Sequence, residues 1–345
     1  MQTLLLDSDD VRDNAPMSAV IDAVEAAFGA DERGDAQMPA KSYIDLPQYN
    51  GDFRSMPAYL SVDPDNPEVD ADEAWDAAGV KWINVHTDNR ERGLPTVLGT
   101  MIYSDPETAF PLAIMDGREL TQLRTGAAAA VATDHLAVDD ATSLGIVGAG
   151  VQSYTQLAAI ATVRPIEEVV VADQNAERVA DFIDHFADRF DVRAGEISEA
   201  AACDVLSTVT PVESSIVDRA DVGEHTHINA IGADAAGKHE LDDQILLDAK
   251  LVIDDYEQTT HSGEINVPYS AGTLTDDDIY GALGEIVIGG KAGREATDGI
   301  TVFDSTGLAI QDVAAARVVF TAASEAGNGT EFDLLGLGDP EASPR

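Results

Sequence analysis

A glycine-rich turn between an apolar strand and a helix constrains the fold of this chain more than any other feature. The segment SLGIVGAG (143–150) predicts a strand that ends in a tight turn, and VQSYTQLAAIATV (151–163) predicts the helix that follows. Gly148 permits the turn, and Gly150 lets a pyrophosphate approach the backbone. The start of the helix then offers free N–H groups and a partial positive charge to the phosphates. The pattern therefore predicts a dinucleotide-binding βαβ unit.

An acidic residue at the end of the next strand indicates which dinucleotide binds. The strand EEVVVAD (167–173) ends at Asp173, whose carboxylate would accept hydrogen bonds from the ribose hydroxyls and repel a 2′-phosphate. We therefore expect NAD rather than NADP. Ser153 stands where a third small residue is usual. The expected cofactor-binding residues are Gly148, Gly150, Val151, Gln152 and Asp173.

The rest of the sequence predicts two kinds of sheet. From residue 143 onward strands and helices alternate, which is typical of a doubly wound parallel sheet. The further strands are expected at DVRAG (191–195), CDVLSTVT (203–210), THINAIGA (226–233), KLVIDD (250–255) and GEIVIG (284–289). Earlier in the chain, β-branched and aromatic segments bounded by turn residues predict a mostly antiparallel sheet. These segments are 41–46, 53–60, 80–87, 96–104 and 109–115.

Helical periodicity and polar composition define the remaining segments. Helices are predicted over 16–30, with Pro16 in the first turn, over the alanine-rich stretch 119–137, and over 308–327. The acidic, proline-bearing stretch 61–79 predicts a solvent-exposed insertion. The polar tail that follows the last helix is expected to fray. A length of 345 residues suits two domains rather than one core.

The acidic composition indicates the conditions in which the chain folds. The chain has 64 Asp and Glu residues against 20 Lys and Arg, with a net charge of -44, and the acidic residues are spread over its whole length. Such a charge favours solubility but destabilises the compact state by self-repulsion. We therefore expect adaptation to high salt, which screens charges beyond about 3 Å at roughly 1 M. Binding to nucleic acid is disfavoured, because there is no basic stripe to neutralise phosphates.

Other features of the sequence favour a soluble cytoplasmic protein without a metal. No stretch approaches the roughly 20 apolar residues of a membrane span, and the N-terminus lacks the features of a signal peptide. Cys203 is the only cysteine, which excludes an intramolecular disulfide. The histidines at 86, 135, 225 and 227 lack metal-ligand spacing, so no metal is expected.

Several stretches, taken together, resemble the ornithine cyclodeaminase/μ-crystallin family, which includes archaeal alanine dehydrogenases. The resemblance covers nearly the whole chain apart from 61–79 and the tail. It implies an α/β fold in which a Rossmann NAD-binding domain (126–307) is inserted into an α+β domain (1–125 plus 308–345) that binds substrate and forms a homodimer. The active site is then expected in the cleft between the domains. The matching stretches are PAYL (57–60), KWINVH (81–86), GLPTVLG (93–99), PLAIMDG (111–117), ELTQLRTGAAAA (119–130), NAIGADAAGKHELD (229–242), HSGEIN (261–266) and FDSTGLAIQD (303–312).

The resemblance also assigns roles to particular residues. Lys41, Lys81 and Arg124 fall where the family holds the substrate carboxylate, and Lys81 is in addition a candidate acid or base. Asp234 falls where the family places a carboxylate beside the substrate amine. Thr96 falls where a residue contacts cofactor or substrate. Glu264 also matches the family, with a structural role as the alternative, and only five lysines occur in the whole chain, which favours a specific task for each of them.

The resemblance implies transfer of a hydride from the α-carbon of an amino acid to NAD, and leaves the substrate open. Water attack on the resulting imine would give a keto acid and ammonia, as in an alanine dehydrogenase. Attack by the δ-amine of ornithine would give proline, as in a cyclodeaminase. Arg54 favours a small neutral amino acid such as alanine, because it would repel the δ-ammonium by about 4 kcal/mol at a separation of about 4 Å. A cyclic-imine (ketimine) reductase and a non-catalytic binding protein are further alternatives.

Overall fold

The computed structural model describes residues 2–62 and 74–337. The chain divides into two compact units, which are described separately below. Met1–Arg124 and Ala309–Arg345 form the first unit, and Thr125–Leu308 forms the second. In the described residues, none of the helices is both long enough and apolar enough to cross a membrane.

An eight-stranded sheet is the centre of the first unit. Its strands are β1 Thr3–Leu6, β2 Ala36–Gln37, β3 Ser42–Leu46, β4 Gly51–Val62, β5 Trp75–His86, β6 Val97–Ser104, β7 Pro111–Asp116 and β16 Thr330–Phe332. They follow the order β16-β1-β7-β6-β5-β4-β2, with β3 also paired to β4. Every neighbouring pair is antiparallel except β1 and β7.

Helices cover one face of this sheet. The helices are α1 Ser8–Asp13, α2 Met17–Arg33 and α11 Ala309–Ala326, while α3 Gly117–Leu136 begins in this unit and ends in the second. α2 and α11 pack on each other and on β4. Alternate residues of β4, such as Met56 and Leu60, are buried, as expected for a strand with one covered face.

The other face of the sheet exposes apolar side chains and is called the outer face here. Cross-strand register places Ile44, Phe53, Trp82, Leu98 and Ile102 on it. The Phe53 and Trp82 rings stack with their centroids 5.2 Å apart, and the Ile44 side chain is 52% exposed. Large apolar side chains gathered on one face of a sheet are typical of an interaction surface.

The second unit contains a parallel eight-stranded sheet in the order β10-β9-β8-β11-β12-β15-β13-β14. Its strands are β8 Ser143–Val147, β9 Glu168–Ala172, β10 Asp191–Ala194, β11 Val205–Thr208, β12 His227–Ala230, β13 Lys250–Ile253, β14 Ile279–Ala282 and β15 Thr301–Asp304. Its helices are α4 Val151–Val163, α5 Ala176–Phe186, α6 Ile197–Ala201, α7 Asp243–Asp248, α8 Tyr256–Ser262, α9 Asn266–Ala271 and α10 Leu283–Val287. Short 3-10 helices occur at Pro47–Tyr49 and Thr87–Arg92 in the first unit and at Arg219–Asp221 and Asp276–Asp278 in the second.

The order of strands creates a binding edge beside β8. β9 and β11 lie on opposite sides of β8, so the chain leaves the carboxyl end of β8 at the point where the direction of winding reverses. Alternate residues of β8 serve two cores: Leu144 and Ile146 pack into one, and Val147 into the other. The expected fold class, a doubly wound Rossmann sheet together with a mostly antiparallel sheet, is confirmed.

The acidic segment 61–79 differs from the exposed insertion that its composition predicts. Its two ends are strand: Ser61 lies in β4 opposite Asp76 in β5, and Val62 lies opposite Trp75. Small and acidic residues in WDAAG hide the beginning of β5, because strand preference depends strongly on cross-strand packing. The residues from 63 to 73 lie outside the described part of the chain.

The expectation of a strand at GEIVIG (284–289) is wrong. Most of this segment belongs to α10, and the neighbouring Ile279–Ala282 forms the edge strand β14 instead. Glu285 accepts a hydrogen bond from the Ala282 N–H at 2.9 Å, which closes the first turn of α10. A short apolar run is compatible with either a strand or a helix, so its period alone does not decide between them.

Three further strands carry no clear signal in the sequence. β1 and β15 are four residues long, which is too short for an alternating pattern to be recognised. β16 lies in the tail that is expected to fray, and it pairs with β1 through Leu5 and Thr330. This part of the tail is therefore an edge strand of the first sheet.

Candidate active site

Lys81 lies in the middle of β5 and is almost completely buried in the first unit. Its Nζ donates hydrogen bonds to Asp312 Oδ1 at 2.7 Å and to the Thr121 hydroxyl at 3.1 Å. Asp312 comes from α11 and is fully buried. Buried lysines are rare unless they are paired, and Asp312 supplies the paired charge.

Arg124 of α3 binds the same carboxylate. Its Nε donates to Asp312 Oδ1 at 3.0 Å, and its Nη1 donates to Gln311 Oε1 at 3.1 Å. Arg124 is 7% exposed. Lys81, Arg124 and Asp312 are called the cationic cluster here, because two positive groups share one negative group.

The position of Lys81 changes its acidity. Burial lowers the pKa of the Lys81 ammonium to about 7; the charge of Asp312 opposes this shift, and the charges of Arg124 and Lys41 add to it. A group with a pKa near neutral can take up or release a proton at the pH of most cells. Lys81 thus has the acidity of an acid–base catalyst.

Arg54 and Lys81 belong to the same face of the sheet. Met56 lies opposite Lys81, and Arg54 is two residues before Met56 in β4. Lys41 is near enough for its charge to lower the pKa of Lys81. Arg54 donates to Asp52 Oδ2 from Nη2 at 2.9 Å and from Nε at 3.1 Å. Arg54 is therefore not the isolated positive charge expected from the sequence, because Asp52 offsets its charge.

Sequence reasoning did not select Asp312, Gln311 or Thr121. Asp312 occurs in the stretch FDSTGLAIQD, but its partners lie 231 and 188 positions away in the chain. One signal is present: Gln311 and Asp312 are polar residues in the otherwise apolar run AIQDVAAA of α11. A buried carboxylate on an apolar helix face needs a partner, and this requirement could have selected Asp312.

The glycine turn of the second unit has room for a ligand. Gly148 has φ of 103°, and a methyl group there would lie 2.9 Å from Thr210 Cγ2, so only glycine fits. Gly150 precedes α4, and a methyl group on it would meet no atom within 4 Å. Contacts within the protein therefore require glycine at position 148 but not at position 150. Open space beside Gly150 is expected for a close approach of pyrophosphate.

Asp173 lies directly after β9 and beside this turn. Its Oδ2 accepts from the Ala149 N–H at 2.8 Å, and its Oδ1 accepts from the Asn175 N–H at 2.7 Å. Each carboxylate oxygen has capacity for a second donor. Asp173 also lines a pocket of about 300 Å³ between β9, β10 and α5, together with apolar residues such as Val171 and Ile183. The pocket and the carboxylate suit an adenosine.

Val151 and Gln152 form the first turn of α4. The Val151 side chain is 51% exposed. Gln152 Oε1 is buried and, within residues 2–62 and 74–337, has no hydrogen-bond donor. A buried acceptor without a donor is uncommon in proteins, and a bound dinucleotide would bring donors to this end of the helix.

Two further predicted site residues, Asp234 and Thr96, are bound by side chains outside the cationic cluster. Asp234 belongs to the second unit, in the loop after β12, and forms an ion pair with Lys238. The Thr96 hydroxyl accepts from Arg90 Nε at 3.0 Å, and the Thr96 carbonyl accepts from the His86 N–H at the end of β5. Among the described residues, no group of three or more His, Cys, Asp or Glu side chains is arranged to hold a metal ion.

Comparison with known proteins identifies the family. Residues 1–327 match the profile of the ornithine cyclodeaminase/mu-crystallin family. The chain belongs to this family. It is 44% identical over 321 residues to an alanine dehydrogenase of Archaeoglobus fulgidus, which covers 93% of this chain and 95% of the relative. The family resemblance expected from the sequence is confirmed.

Solved structures agree with this assignment. An archaeal alanine dehydrogenase dimer with bound NAD superposes with a TM-score of 0.89 and 43% identity, covering 97% of this chain and 100% of the other. The Δ1-pyrroline-2-carboxylate reductase of Thermococcus litoralis, in complex with NADH and L-proline, gives a TM-score of 0.87 and 36% identity, covering 95% and 99%. The prediction of an NAD-dependent enzyme is confirmed at the level of the family.

Proposed function

We propose that the chain oxidises L-alanine to pyruvate and ammonia with NAD. The observation that carries the proposal is the cationic cluster, in which Lys81 and Arg124 share the single carboxylate of Asp312. The carboxylate of an amino acid would supply a second negative charge, and the planar guanidinium of Arg124 suits it. The 44% identical alanine dehydrogenase supports the choice of alanine.

The proposed reaction begins at the α-carbon and the amino group of the substrate. NAD, when bound, supplies the acceptor for the hydride that leaves the α-carbon. The amino group loses a proton to Lys81, and the α-carbon and nitrogen become an imine. Lys81 next assists the attack of water on the imine carbon. Lys81 returns its proton to the imine nitrogen, accepts one from this water and passes it to the amino nitrogen. The carbon–nitrogen bond then breaks, the hydroxyl proton returns to Lys81, and ammonia leaves pyruvate behind. Asp234 is assigned to the substrate amine.

The remaining assignments follow the residue types. Gly148, Gly150, Val151, Gln152 and Asp173 hold NAD in this proposal, and the open space at Gly150 supports the pyrophosphate position. Lys41 and Arg54 add positive charge beside the cluster for the substrate carboxylate. Thr96 contacts cofactor or substrate.

Ornithine cyclisation is a second candidate, and Asp52 is the observation in its favour. Asp52 lies 2.9 Å from Arg54, so a carboxylate is present where a δ-ammonium would need one. Arg54 already engages this carboxylate, and alanine is therefore preferred. Reduction of a cyclic imine is a third candidate, supported by the relative that is solved with NADH and L-proline.

One assay separates these candidates. NAD reduction is measured in molar KCl with alanine and with ornithine, and the products are identified; NADH oxidation is measured with a cyclic imine carboxylate. We expect alanine to give pyruvate and free ammonia, with little proline from ornithine. Arg54→Glu leaves two carboxylates at this position, and we expect it to weaken the use of alanine and to improve the use of ornithine by about tenfold. Proline formation by the parent chain at a rate above alanine oxidation would reverse the assignment.

We further propose a homodimer that forms through the outer face (Ile44, Phe53, Trp82, Leu98 and Ile102). A second copy is the expected occupant, because the exposed apolar side chains lie on a sheet and the related archaeal enzyme is a dimer. Trp82→Glu should shift the mass measured by sedimentation equilibrium toward a monomer, whereas an unchanged mass would place the contact elsewhere.

The reduced single cysteine, Cys203, agrees with a cytoplasmic location.

A further inference from the structure

Three buried carboxylates of the second unit, Asp304, Glu264 and Glu240, form a connected series. All three side chains are fully buried. Asp304 accepts from the Glu264 N–H at 2.8 Å, and Glu264 Oε1 accepts from the Glu240 N–H at 2.8 Å. Each carboxylate therefore holds the backbone of the residue that carries the next one. This arrangement is called the carboxylate series here.

Glu240, the last member of the series, binds two loops at the binding edge of the parallel sheet. Glu240 Oε1 accepts from the N–H of Thr210 at 2.8 Å and from its hydroxyl at 2.7 Å. Glu240 Oε2 accepts from the Gly232 N–H at 3.0 Å. Thr210 follows β11 and Gly232 follows β12, so one carboxylate joins the loops after two neighbouring strands.

These two loops contact the predicted functional residues. Thr210 lies against the turn at Gly148, where a methyl group would approach its Cγ2 to 2.9 Å. Gly232 stands two residues before Asp234. A methyl group on Gly232 would lie 2.3 Å from Glu240 Oε2 and from the Thr210 carbonyl oxygen, so the loops close tightly around the carboxylate. A displacement of Glu240 would move both loops.

We infer that Glu240 is a positioning residue, which fixes the glycine turn for NAD and the backbone before Asp234 through its bonds to Thr210 and Gly232. This inference rests on the proposed function only for the roles of NAD and Asp234. Glu240 receives three donors, and a carboxylate presents acceptors on both oxygens. Glutamine has one acceptor oxygen, and its NH₂ group would face an N–H donor.

The test compares Glu240→Gln with Glu257→Gln, which removes a charge from an exposed position of the same unit. We measure NAD affinity without substrate, amide hydrogen exchange at Thr210 and Gly232, and kcat at saturating substrate. In Glu240→Gln we expect about tenfold weaker NAD binding or more, faster exchange at both amides and a lower kcat. Glu257→Gln should match the parent chain.

A second variant keeps the inference testable if Glu240→Gln does not fold. Thr210→Val removes one donor and retains the backbone bond, so NAD affinity should fall in the same direction by a smaller factor. If either folded variant loses thermal stability while NAD affinity and both amides stay unchanged, Glu240 is structural only and the inference is wrong. If these readouts change but alanine is not oxidised by the parent chain, the proposed function fails and the inference stands.

The pH dependence of NAD affinity provides a further readout. Burial and, to a smaller extent, the negative charge of Glu264 together raise the pKa of Glu240 to about 7. Since the three donors require the carboxylate, NAD affinity should fall as the pH decreases through about 7. His239 also titrates near Glu240: burial lowers its pKa, but bonding to Glu264 holds it above the ordinary value. Asp243, Asp304 and Asp254 are further charged groups of this region, and the charge of Asp254 acts on Asp304. Glu240→Gln should abolish the dependence and His239→Gln should retain it; the opposite result contradicts the inference.

Discussion

The cationic cluster of the first unit and the carboxylate series of the second solve the problem of buried charge in different ways. In the cluster, Asp312 is bound by the side chains of Lys81 and Arg124. In the series, Glu240 is bound by the N–H groups of Thr210 and Gly232, together with the Thr210 hydroxyl. The cluster therefore has an excess of positive charge, whereas the series has its acceptors occupied by dipoles of the protein.

The two kinds of donor suit different roles: side-chain cations favour binding of an anion, and backbone N–H groups favour fixing of the backbone. A buried group with an excess positive charge favours an added anion, which supports the proposed binding of a substrate carboxylate at the cluster. A carboxylate whose acceptors are occupied by backbone N–H groups fixes the backbone instead. Both contain buried acids of low exposure, and burial alone would not distinguish them. The identity of the donors does.

Removal of the cluster's lysine should have the largest effect. In Lys81→Ala, turnover of alanine should fall by at least about 100-fold, because a positioned acid or base is lost, while NAD affinity stays unchanged. Initial rates and NAD titrations measure this. Lys291→Ala removes a lysine that pairs with Glu285 in the second unit and is the matched control. Full turnover in a folded Lys81→Ala variant would mean that Lys81 only pairs with Asp312.

The shared carboxylate should affect both stability and acidity. Asp312→Asn leaves two buried cations without their counter-charge, and the free energy of unfolding should fall by about 3–5 kcal/mol in urea denaturation. Asp312 also raises the pKa of Lys81. Neutral Lys81 accepts the proton, so kcat/KM rises with pH through about 7 in the parent chain. The rise should move to lower pH in the variant.

Asp248→Asn is the control for this experiment, since Asp248 forms an exposed pair with Arg219. Its stability and its pH profile should stay close to those of the parent chain. If the profile of Asp312→Asn keeps its position or moves to higher pH, a group other than Lys81 controls the rate.

A partly exposed carboxylate of the second unit should behave differently from the buried series. Asp173 is held by two N–H groups but retains acceptor capacity for a ligand. Asp173→Ser should reduce the preference for NAD over NADP by about tenfold, because a charge-assisted bond to ribose is lost and the repulsion of a 2′-phosphate is relieved. The ratio of kcat/KM for the two cofactors measures this. Equal use of both by the parent chain would contradict the assignment.

Salt should screen the charges on the surface but not those that are buried. Its effect per charged residue should be smaller than that of the substitutions. Raising KCl from about 0.1 M to about 1 M reduces the screening length to about 3 Å, so repulsion within the net charge of -44 is relieved and the melting temperature should rise by several degrees. The pH at which kcat/KM rises should change little, because the cluster is buried. Maximum stability in dilute buffer would exclude adaptation to high salt.

The sequence predicts the parts of the site that depend on local pattern. Gly148, Gly150 and Asp173 fall within one βαβ unit, and the strand–turn–helix context predicts their arrangement. Lys81 is detected by the scarcity of lysine in the chain, and both Lys81 and Arg124 are detected by the family resemblance. β-Branched and aromatic composition likewise predicts the long strands β4 and β5, apart from their ends.

Long-range pairing explains what the sequence does not predict. Asp312 joins residues 231 and 188 positions away, and Glu240 joins Thr210, 30 positions away. No periodicity encodes such pairs. The same reason explains GEIVIG (284–289): its place beside β13 is taken by β14, and only the tertiary structure decides which of the two segments pairs there.

The sharing of Asp312 also limits how the enzyme can evolve. A change at Lys81 alters the charge around Arg124, and a change at Arg124 alters the charge around Lys81, because both bind one carboxylate. The effects of substitutions at the two positions should therefore be non-additive. A single substitution at either position is unfavourable, because it changes the charge around the other. Arg54 and Asp52, which both lie on β4, form a separate ion pair. New substrate preferences are more accessible by mutation of that pair, while the cluster that is proposed to perform the chemistry is retained.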